Sequence, residues 1–511
     1  MTVGDLEKVK KDAKEESNLE IKVKNKYNGE IIATVQADTK ESLQAKIKKI
    51  AQQERKLKES DKFERVEWLG KVARKIRFKK KELKDIIVAE GGLPIKYAEW
   101  EISIVYNGFK FCDWYFQFYE DKVLEDIQGQ RFSKIEYHPH GVTVGITPRN
   151  TPISLPLYFL GASYLTGNPA IIKPSTACPI TFSTVFQMMQ EMNNPLFDAY
   201  EIALSPGDMA IDEFIQNRLV KTFLCITASH TAKDILLKYT KYLKKSIDNS
   251  MGIPLFTMPM KHFVFEMAGN DAGIVLPGVN LEQIAKWNAA ASYTNSGQQC
   301  FSMKRIIVHQ DIYDEYLEAL LSEIQKIKLG DPFDPTVDIG PLGSRKILMM
   351  MEIMVEDAKK HGAKILCGAE KIDTGEDYGL FYYPTLVEIN SELCEDLPKS
   401  PFLWREEAFG PVRSITKAKD IDDAIKLANS SNYGMRAVGY ATDPSDIQRL
   451  KTELDAGNIF INTKPMIVDI SFPLGGIKDS SYPPGLKYYP RELVWPKFIH
   501  DATSKNINKI S

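Results

Sequence analysis

Helix-like and strand-like patterns of apolar residues alternate along the chain. Apolar residues recur every three or four positions in three segments that are predicted to be amphipathic helices: residues 41–53, 63–78 and 81–91. Short unbroken apolar runs predict buried strands at four places: residues 142–146, 170–173, 222–226 and 263–266. A further helix is predicted over residues 284–294. This alternation is typical of an α/β protein with a parallel sheet, and 511 residues are enough for two or three domains.

The longest uncharged stretch, residues 151–172, is nearly long enough to span a bilayer. It is interrupted by Pro152, Pro156, Gly161 and a Gly-Asn-Pro turn at 167–169, and it ends in a predicted strand. These interruptions favour a buried helix followed by a buried strand over a membrane span. Charged residues recur throughout the N-terminal segment, which therefore does not resemble a secretory signal.

Charge and cysteine content argue against several classes of protein. The chain has 66 Lys and Arg residues against 68 Asp and Glu residues, so its net charge of −2 predicts no overall attraction to nucleic acid or to an anionic membrane. The 6 cysteines form no CxxC pair, and the 7 histidines form no cluster with metal-ligand spacing. We therefore expect a reduced, cytoplasmic protein without a metal site.

Small polar residues follow three of the predicted strands: Thr147 and Thr227 come directly after their strands, and Ser175 comes after Pro174. In α/β folds a helix that begins after such a turn offers free backbone N–H groups and positive potential to a phosphate. The pattern predicts a nucleotide site at this edge of the sheet. The GxGxxG fingerprint is absent, so the phosphates must be held in another way.

Cys300 lies in a setting that suits a nucleophile. Alone it would be interpreted as one more structural thiol among the six. It ends a polar loop, Asn-Ser-Gly-Gln-Gln-Cys, that follows a predicted helix directly, and it comes 34 residues after Glu266 at the end of a predicted strand. A thiol and a carboxylate are the groups that covalent acyl chemistry needs, a nucleophile and a base.

These and other segments resemble the aldehyde dehydrogenase superfamily. Glu266 stands in Glu-Met-Ala-Gly-Asn where the family has an E-L-G-G-K-like element, and Cys300 matches the family's G-Q-x-C loop. Further family motifs are matched, in the same order along the chain, by Ile146–Asn150, Gly167–Ser175, Gly330–Pro332, Asp338–Leu342, Glu406–Val412, Tyr433–Gly434 and Phe472–Lys478. Each motif is weak evidence by itself, but chance does not explain why all of them occur in the family's order over residues 146–478.

The resemblance implies a catalytic set. Cys300 would attack an aldehyde carbon to give a thiohemiacetal, whose oxyanion would be held by the Asn150 amide and the Cys300 backbone N–H. Hydride would leave to a nicotinamide and give a thioester. Glu266 would then act as the base that activates water and releases the acid.

The resemblance also implies the cofactor residues and no metal. Lys173 matches the lysine that binds the adenosine ribose, Glu407 the glutamate that holds the nicotinamide ribose, and Phe409 the ring beside it. Thr176 stands where members that prefer NAD often have a glutamate, so NADP is favoured, with NAD as the alternative. The other cofactor contacts implied are Ile146, Pro148, Ser175, Gly207, Thr227, Ser229 and Met267.

The chain departs from the family pattern in three places. In the phosphate-binding turn, Ala228 and Lys233 replace glycines, and Lys233 could meet a phosphate or reflect a shifted alignment. Residues 239–260 are longer than the usual connection, with a helix that could continue over 242–246 and end at 252–254. Arg149 and Thr151 flank Asn150 where many members have aromatic residues; Arg149 could attract an anionic substrate or the cofactor pyrophosphate, or form a structural salt bridge.

By resemblance, three structural parts are expected. Residues 1–265 would form a parallel-sheet cofactor domain with a bridging segment at about 123–137, and residues 266–462 an α/β catalytic domain. Residues 463–511 would return to the first domain and complete a small β oligomerisation element. A homodimer or homotetramer is therefore expected.

Two alternatives remain at the level of sequence. A CoA-acylating aldehyde dehydrogenase would pass the acyl group to CoA, although such enzymes often lack the glutamate that is present here as Glu266. A catalytically silent member would serve as a binding protein. The small-molecule aldehyde is not identified by the sequence; for an anionic one, Arg149 and Lys464 are the candidate cations.

Overall fold

The computed structural model describes residues 20–118, 120–125, 133–249, 259–465 and 472–501. The α-helices of these residues are Lys40–Ala51, Glu54–Glu59, Lys62–Phe78, Lys80–Gly91, Ile95–Lys110, Ser154–Thr166, Ile180–Gln190, Gly207–Gln216, Ser229–Asn249, Leu281–Tyr293, Tyr313–Gln325, Arg345–Lys360, Phe402–Arg405, Ile421–Asn429, Pro444–Glu453 and Tyr489–Glu492. The strands are β1 (Glu20–Lys24), β2 (Ile31–Gln36), β3 (Lys122–Leu124), β4 (Ser133–Pro139), β5 (Thr143–Ile146), β6 (Ala170–Lys173), β7 (Tyr200–Ile202), β8 (Thr222–Ile226), β9 (His262–Glu266), β10 (Asp271–Val275), β11 (Met303–His309), β12 (Lys364–Cys367), β13 (Lys371–Ile372), β14 (Phe381–Tyr382), β15 (Thr385–Glu388), β16 (Val412–Ala418), β17 (Tyr433–Gly434), β18 (Arg436–Tyr440), β19 (Asn458–Ile461), β20 (Leu474–Lys478), β21 (Ser481–Tyr482), β22 (Gly485–Lys487) and β23 (Val494–His500).

The elements predicted from periodicity agree with the structure to within a few residues. The four predicted strands are β5, β6, β8 and β9, and the three predicted N-terminal helices are also present. The helix predicted over 284–294 begins earlier, at Leu281, because the side chain of Asn280 accepts a hydrogen bond from Gln283 N and caps it there. A cap of this kind extends a helix beyond its apolar stripe.

A six-stranded sheet forms the core of the N-terminal half, in the order β21-β9-β8-β5-β6-β7. The strands from β5 to β9 run parallel, with Gly145 of β5 level with Ile172 of β6 and Leu224 of β8. Strand β21 is antiparallel and comes from the C-terminal part of the chain. Because the parallel strands share one direction, their carboxyl ends meet at a single edge.

A second, seven-stranded sheet follows along the chain, in the order β12-β15-β16-β11-β10-β18-β19. Its neighbouring strands are parallel except for β12, which is antiparallel to β15. Most residues of β10, β11 and β18 are buried, as expected for strands covered by helices on both faces. The fold is the predicted α/β fold with two main sheets.

A small three-stranded sheet joins distant parts of the chain, in the order β23-β4-β3. Strand β23 pairs antiparallel with β4 over its full length, from Val494 opposite Pro139 to His500 opposite Ser133. Val123, Trp495 and Phe498 on this sheet are exposed. The domain limits proposed from the sequence and the number of subunits stay predictions.

The uncharged stretch folds as a buried helix, Ser154–Thr166, and a buried strand, β6, as predicted. Gly161 lies against the ring of Phe109, where a Cβ atom would clash, so the helix packs closely on helix Ile95–Lys110. In the described part of the chain, no helix is both long and apolar enough to cross a membrane. Helix Ser229–Asn249 includes the predicted continuation at 242–246; its predicted end at 252–254 lies outside the described residues.

Candidate active site

A cavity of about 620 Å³ lies between the two main sheets. On one side it is lined by residues at the carboxyl ends of β5, β6, β8 and β9. On the other side it is lined by residues at the amino ends of β11 and β18. The three predicted catalytic residues, Cys300, Glu266 and Asn150, all line this cavity. Two sheets therefore supply the walls, each from one edge.

The thiol of Cys300 lies beside the carboxylate of Glu266. Cys300 Sγ donates a hydrogen bond to Glu266 Oε1 over 3.7 Å, and Tyr489 donates its hydroxyl to Glu266 Oε2 over 3.3 Å. Burial raises the pKa of Cys300 well above its ordinary value, and the negative charge of Glu266 raises it further. Burial also raises the pKa of Glu266, against the opposing effect of Arg436. The resting pair is thus a thiol that donates to a carboxyl group oriented by Tyr489.

The loop that carries Cys300 is fixed by an unusual backbone conformation. Asn295 (φ 54°), Ser296 (φ 56°) and Gly297 (φ 66°) are consecutive residues in the left-handed region. Gly297 packs against Gly410 and Arg413 so closely that a Cβ atom would clash with both. The hydroxyl of Ser296 donates to Gly340 O over 2.7 Å and fastens the turn to the neighbouring loop. This strained turn reverses the chain after helix Leu281–Tyr293 and brings Cys300 to the cavity.

The side chain of Lys304 forms hydrogen bonds with the backbone of the same loop. Its fully buried ammonium donates to the carbonyls of Gln299 (2.8 Å) and Cys300, and it lies 3.5 Å from Glu407 Oε1. The carboxylate of Glu407 also accepts a hydrogen bond from Gly269 N over 3.0 Å. Burial lowers the pKa of Lys304, and the Glu407 charge opposes this shift. One buried ion pair therefore connects the nucleophile loop with a predicted cofactor residue.

Asn150 joins the first sheet to the nucleophile loop. Its backbone carbonyl accepts a hydrogen bond from Asn295 Nδ2 over 3.4 Å, and its side chain is buried at the cavity wall. It follows β5 closely: the strand ends at Ile146, and the chain bends at Arg149 and Asn150. The residue is therefore held by both halves of the site.

The predicted cofactor residues fall into the same cavity, with one exception. Its walls include Ile146, Pro148, Lys173, Ser175, Thr176, Gly207, Thr227, Met267, Glu407 and Phe409. Ser229 does not line it: this residue begins helix Ser229–Asn249, and its hydroxyl donates to Asp479 O over 3.0 Å. Burial lowers the pKa of Lys173 to about 8, and its ammonium is 3.5 Å from Pro174 O.

Comparison with known proteins identifies the family. The aldehyde dehydrogenase family matches residues 13–488 of the 511-residue chain. The chain belongs to the aldehyde dehydrogenase family. A lactaldehyde dehydrogenase of Methanococcus vannielii is 26% identical over 484 residues, covering 94% of this chain and 97% of the relative. A succinate-semialdehyde dehydrogenase [NADP(+)] of Mycobacterium avium is 28% identical over 427 residues, covering 82% and 83%.

Solved aldehyde dehydrogenase structures have the same fold. Glyceraldehyde-3-phosphate dehydrogenase GapN from Methanocaldococcus jannaschii, complexed with NADP, aligns with a TM-score of 0.82 at 25% identity, over 94% of this chain and 99% of that one. Lactaldehyde dehydrogenase from Escherichia coli aligns with a TM-score of 0.84 at 23% identity, over 95% and 96%. The resemblance stated from the motifs is confirmed over nearly the whole chain.

Two departures of this aldehyde dehydrogenase from the family pattern have structural explanations. Lys233 is largely exposed and forms an ion pair with Asp479 over 2.7 Å, and it is not among the residues that line the cavity. Arg149 lines the cavity, packs over Gly343 and donates to the neutral amide oxygen of Gln298. The partner of Arg149 here is therefore a neutral amide, and its proposed roles toward an anionic substrate, the cofactor pyrophosphate or a structural salt bridge stay predictions.

Lys464, the other candidate cation, lies apart from the nucleophile. It lines a second cavity of about 400 Å³, and Trp100 contributes to the walls of both cavities. In the described part of the chain, no group of three or more His, Cys, Asp or Glu residues is arranged to hold a metal ion.

Sequence reasoning missed several residues of the aldehyde dehydrogenase site. Tyr489, Lys304, Phe301, Arg436 and Glu101 were not predicted, although each contacts a predicted residue or lines the cavity. Lys304 and Phe301 follow Cys300 closely, and Arg436 follows the Tyr433–Gly434 motif, so a search around each motif could have found them. Glu101 and Tyr489 carried no local signal, since they reach the site only through tertiary packing.

Proposed function

We propose that the protein oxidises a small aldehyde to the carboxylic acid with NADP, through a thioester on Cys300 that is hydrolysed with help from Glu266. The observation that carries this proposal is the position of Cys300 Sγ, 3.7 Å from Glu266 Oε1, in the cavity that the strand-end residues line. Membership of the aldehyde dehydrogenase family supports the reaction class.

The residues present fit an NADP cofactor. Lys173 is a buried cation at the cavity wall beside Thr176, and this neutral side chain would not repel a 2′-phosphate as a carboxylate would. Relatives named for NADP(+) and the NADP complex of a structural neighbour support NADP over NAD. Glu407 would hold the nicotinamide ribose, with Lys304 balancing its charge. When bound, the cofactor accepts the hydride that the substrate releases.

The first half of the reaction depends on Cys300 and Asn150. Because Sγ–H donates to Glu266 Oε1, this carboxylate is placed to take the thiol proton as sulfur bonds to the aldehyde carbon. The Asn150 amide and the Cys300 N–H would stabilise the oxyanion, and one such donor typically contributes about 3 kcal/mol to lowering the barrier. The Lys304 bonds to the carbonyls of Gln299 and Cys300 fix the loop orientation that this role requires.

The second half depends on Glu266. Once the proton taken from the thiol has passed to solvent, its carboxylate would take a proton from water while the water oxygen attacks the thioester carbon; the C–S bond then breaks, the acid leaves and sulfur regains that second proton. Tyr489 occupies Oε2 and so leaves Oε1 directed at the thioester position. Burial favours proton uptake by Glu266, because it raises the pKa of that carboxyl group.

The proposal is tested by cofactor reduction on a panel of neutral, carboxylated and phosphorylated aldehydes, with NADP or NAD, with and without CoA. We expect reduction without CoA, and a loss of at least about 1,000-fold in kcat for Cys300→Ala, because the covalent route is removed. NADP titration of the same variant should give the wild-type affinity. Activity only with CoA would move the protein to the acylating class, and no reduction with any aldehyde would leave it a silent member.

A further inference from the structure

Arg436 lies in the cavity wall close to the nucleophile. It begins strand β18, is 9% exposed, and lines the same cavity as Cys300 and Glu266. Its backbone N–H donates to Asp271 Oδ1 over 3.0 Å, which fixes the start of the strand. The proposed chemistry assigns it no role: it is neither the nucleophile, the base nor an oxyanion donor.

Aromatic rings hold the guanidinium of Arg436 in place. It lies over the ring of Phe301, the residue after the nucleophile, at 4.5 Å, and near the ring of Phe460 at 5.3 Å. Nη1 also donates to Pro465 O over 3.5 Å. Stacking of this kind restricts a guanidinium to one orientation. The cation is therefore pre-organised next to the residue that would bond the substrate.

The surrounding wall is mostly apolar on the side of Arg436. Phe301, Met435 and Leu474 line the cavity there. Leu155 and Tyr158 of helix Ser154–Thr166 and Trp100 of helix Ile95–Lys110 also line it. The other Lys and Arg residues of the cavity are differently placed: Lys173 lies at the end of β6, Lys346 lies on helix Arg345–Lys360, and Arg149 is bonded to Gln298. The carboxylates of Asp271 and Glu266 also face Arg436. A planar guanidinium at a cavity wall suits a carboxylate or phosphate group, which it can bind through parallel hydrogen bonds.

The neighbouring cavity adds positive charge. Lys96, Lys286, Lys326 and Lys464 line it together with two acidic residues, Glu323 and Asp338. Each acidic residue pairs with one lysine, Lys96 with Asp338 and Lys326 with Glu323, so the lining keeps a positive excess. Trp100 separates this cavity from the reaction cavity, and Lys464 is next to the Pro465 carbonyl that Arg436 bonds. A positive lining attracts small anions.

We propose that Arg436 binds the anionic end of the substrate, so that the preferred aldehydes carry a carboxylate or a phosphate a few atoms from the aldehyde carbon. This inference rests on the proposed function, since it names the substrate class of that site. A competing role is charge balance alone: Asp271, Glu266 and the Cys300 thiol all face Arg436, and loss of its charge would then affect every substrate alike. The experiment must separate recognition of the substrate from this effect.

The first test compares matched aldehydes in wild type, Arg436→Met and Arg436→Lys. The pairs are butanal with 4-oxobutanoate, and glyceraldehyde with its 3-phosphate. Which of the two charged aldehydes wild type prefers shows whether the site binds a carboxylate or a phosphate. We expect Arg436→Met to raise KM for the charged member roughly 10- to 100-fold, the usual effect of removing a hydrogen bond to a charged group, and to leave the neutral member within about 3-fold. Arg436→Lys should recover part of the loss.

Arg449→Met is the matched control. Arg449 is a partly exposed residue of helix Pro444–Glu453 that pairs with Asp422 and Glu453 and does not line the cavity. Its substitution removes the same charge and should leave KM for either member unchanged. Equal losses for charged and neutral aldehydes in Arg436→Met would overturn the proposal in favour of charge balance. Unchanged KM for all of them would overturn it as well.

A second test needs neither turnover nor cofactor. Butanedioate should slow the alkylation of Cys300 by iodoacetamide in wild type, and not in Arg436→Met, whereas butanoate should protect neither. If Arg436→Met does not fold, Arg436→Lys decides: weaker protection by butanedioate supports the proposal, and wild-type protection overturns it. If no aldehyde is oxidised by wild type, the proposed function fails, while protection that depends on Arg436 would still identify the anion site.

Discussion

The two halves of the cleft are built in different ways. In the half that we propose binds the cofactor (the cofactor half), Ile146, Lys173 and Thr227 stand at or directly after the ends of neighbouring parallel strands, so the sheet itself brings them together. In the half that we propose binds the substrate (the substrate half), Trp100, Tyr158 and Arg436 come from two helices and a strand of the other sheet. The cofactor half follows from a rule of parallel sheets, whereas the substrate half depends on how separate elements pack.

This difference has a functional meaning. A cofactor shared by many enzymes can be held by backbone groups and strand-end residues that recur in the fold. A substrate must be distinguished from similar molecules, and side chains such as Arg436 and Phe301 on independently packed elements can change without disturbing the sheet. Cys300 and Glu266 lie where the two halves meet.

The largest effect is expected at this junction, for Glu266→Gln. The amide cannot take a proton from water, so steady-state turnover should fall about 10²- to 10⁴-fold. Stopped-flow absorbance separates the two proposed roles of Glu266. A first turnover that forms NADPH faster than the later ones places the loss in thioester hydrolysis, and an equally slow first turnover places it in removal of the thiol proton. Glu315→Gln, on the exposed face of helix Tyr313–Gln325, is the control and should behave as wild type. Wild-type steady-state turnover in Glu266→Gln would contradict the assignment of the base.

A smaller effect is expected in the substrate half, for Glu101→Leu. The buried Glu101 accepts hydrogen bonds from Ser154 Oγ (2.7 Å) and from Ile153 N and Ser154 N (3.4 Å each), at the start of a cavity-lining helix. Leaving these donors unpaired should lower the free energy of unfolding by about 1–3 kcal/mol, measured by urea denaturation. Because the helix lines the cavity, KM for the aldehyde should rise as well.

Glu90→Leu provides the comparison for that result. Glu90 is equally buried and accepts from Ile180 N (2.9 Å) and Thr181 N (2.7 Å) at the start of another helix, but it does not line either cavity. The two variants should lose similar stability, and Glu90→Leu should keep the wild-type KM. If KM rises equally in both variants, the rise follows from the loss of stability and not from the position of Glu101 beside the cavity.

The smallest effect is expected in the cofactor half, on raising the pH. Burial lowers the pKa of Lys173 to about 8, so its ammonium is charged below that pH and neutral above it. If the charged form binds the cofactor, NADP affinity should fall about tenfold between pH 7 and pH 9, as followed by fluorescence titration. Lys173→Met should bind NADP weakly with no such dependence. An affinity that stays constant over this range in wild type would count against Lys173 as a charged ligand.

The sequence alone determined the order of elements and the residues that chemistry requires. Strand runs at 142–146 and 170–173 are local patterns, and so is the Cys300 loop, because periodicity and turn composition act over neighbouring residues. Lys173 and Glu407 were found through motifs around them, and the structure brings both into one cavity. Local patterns and motifs were therefore sufficient to find residues at the ends of parallel strands, because the type of fold determines where such residues lie.

Tertiary structure decided the contacts between residues that are far apart in the chain. Ser229 was expected at the cofactor, but its hydroxyl is directed to Asp479 O, and Lys233 is paired with the Asp479 carboxylate. Tyr489 reaches Glu266 over 223 residues of chain, and Arg436 meets Phe301 only because β18 pairs with β10 in one register. Which side chains face a cavity depends on the packing of whole elements, and a local pattern does not contain that information.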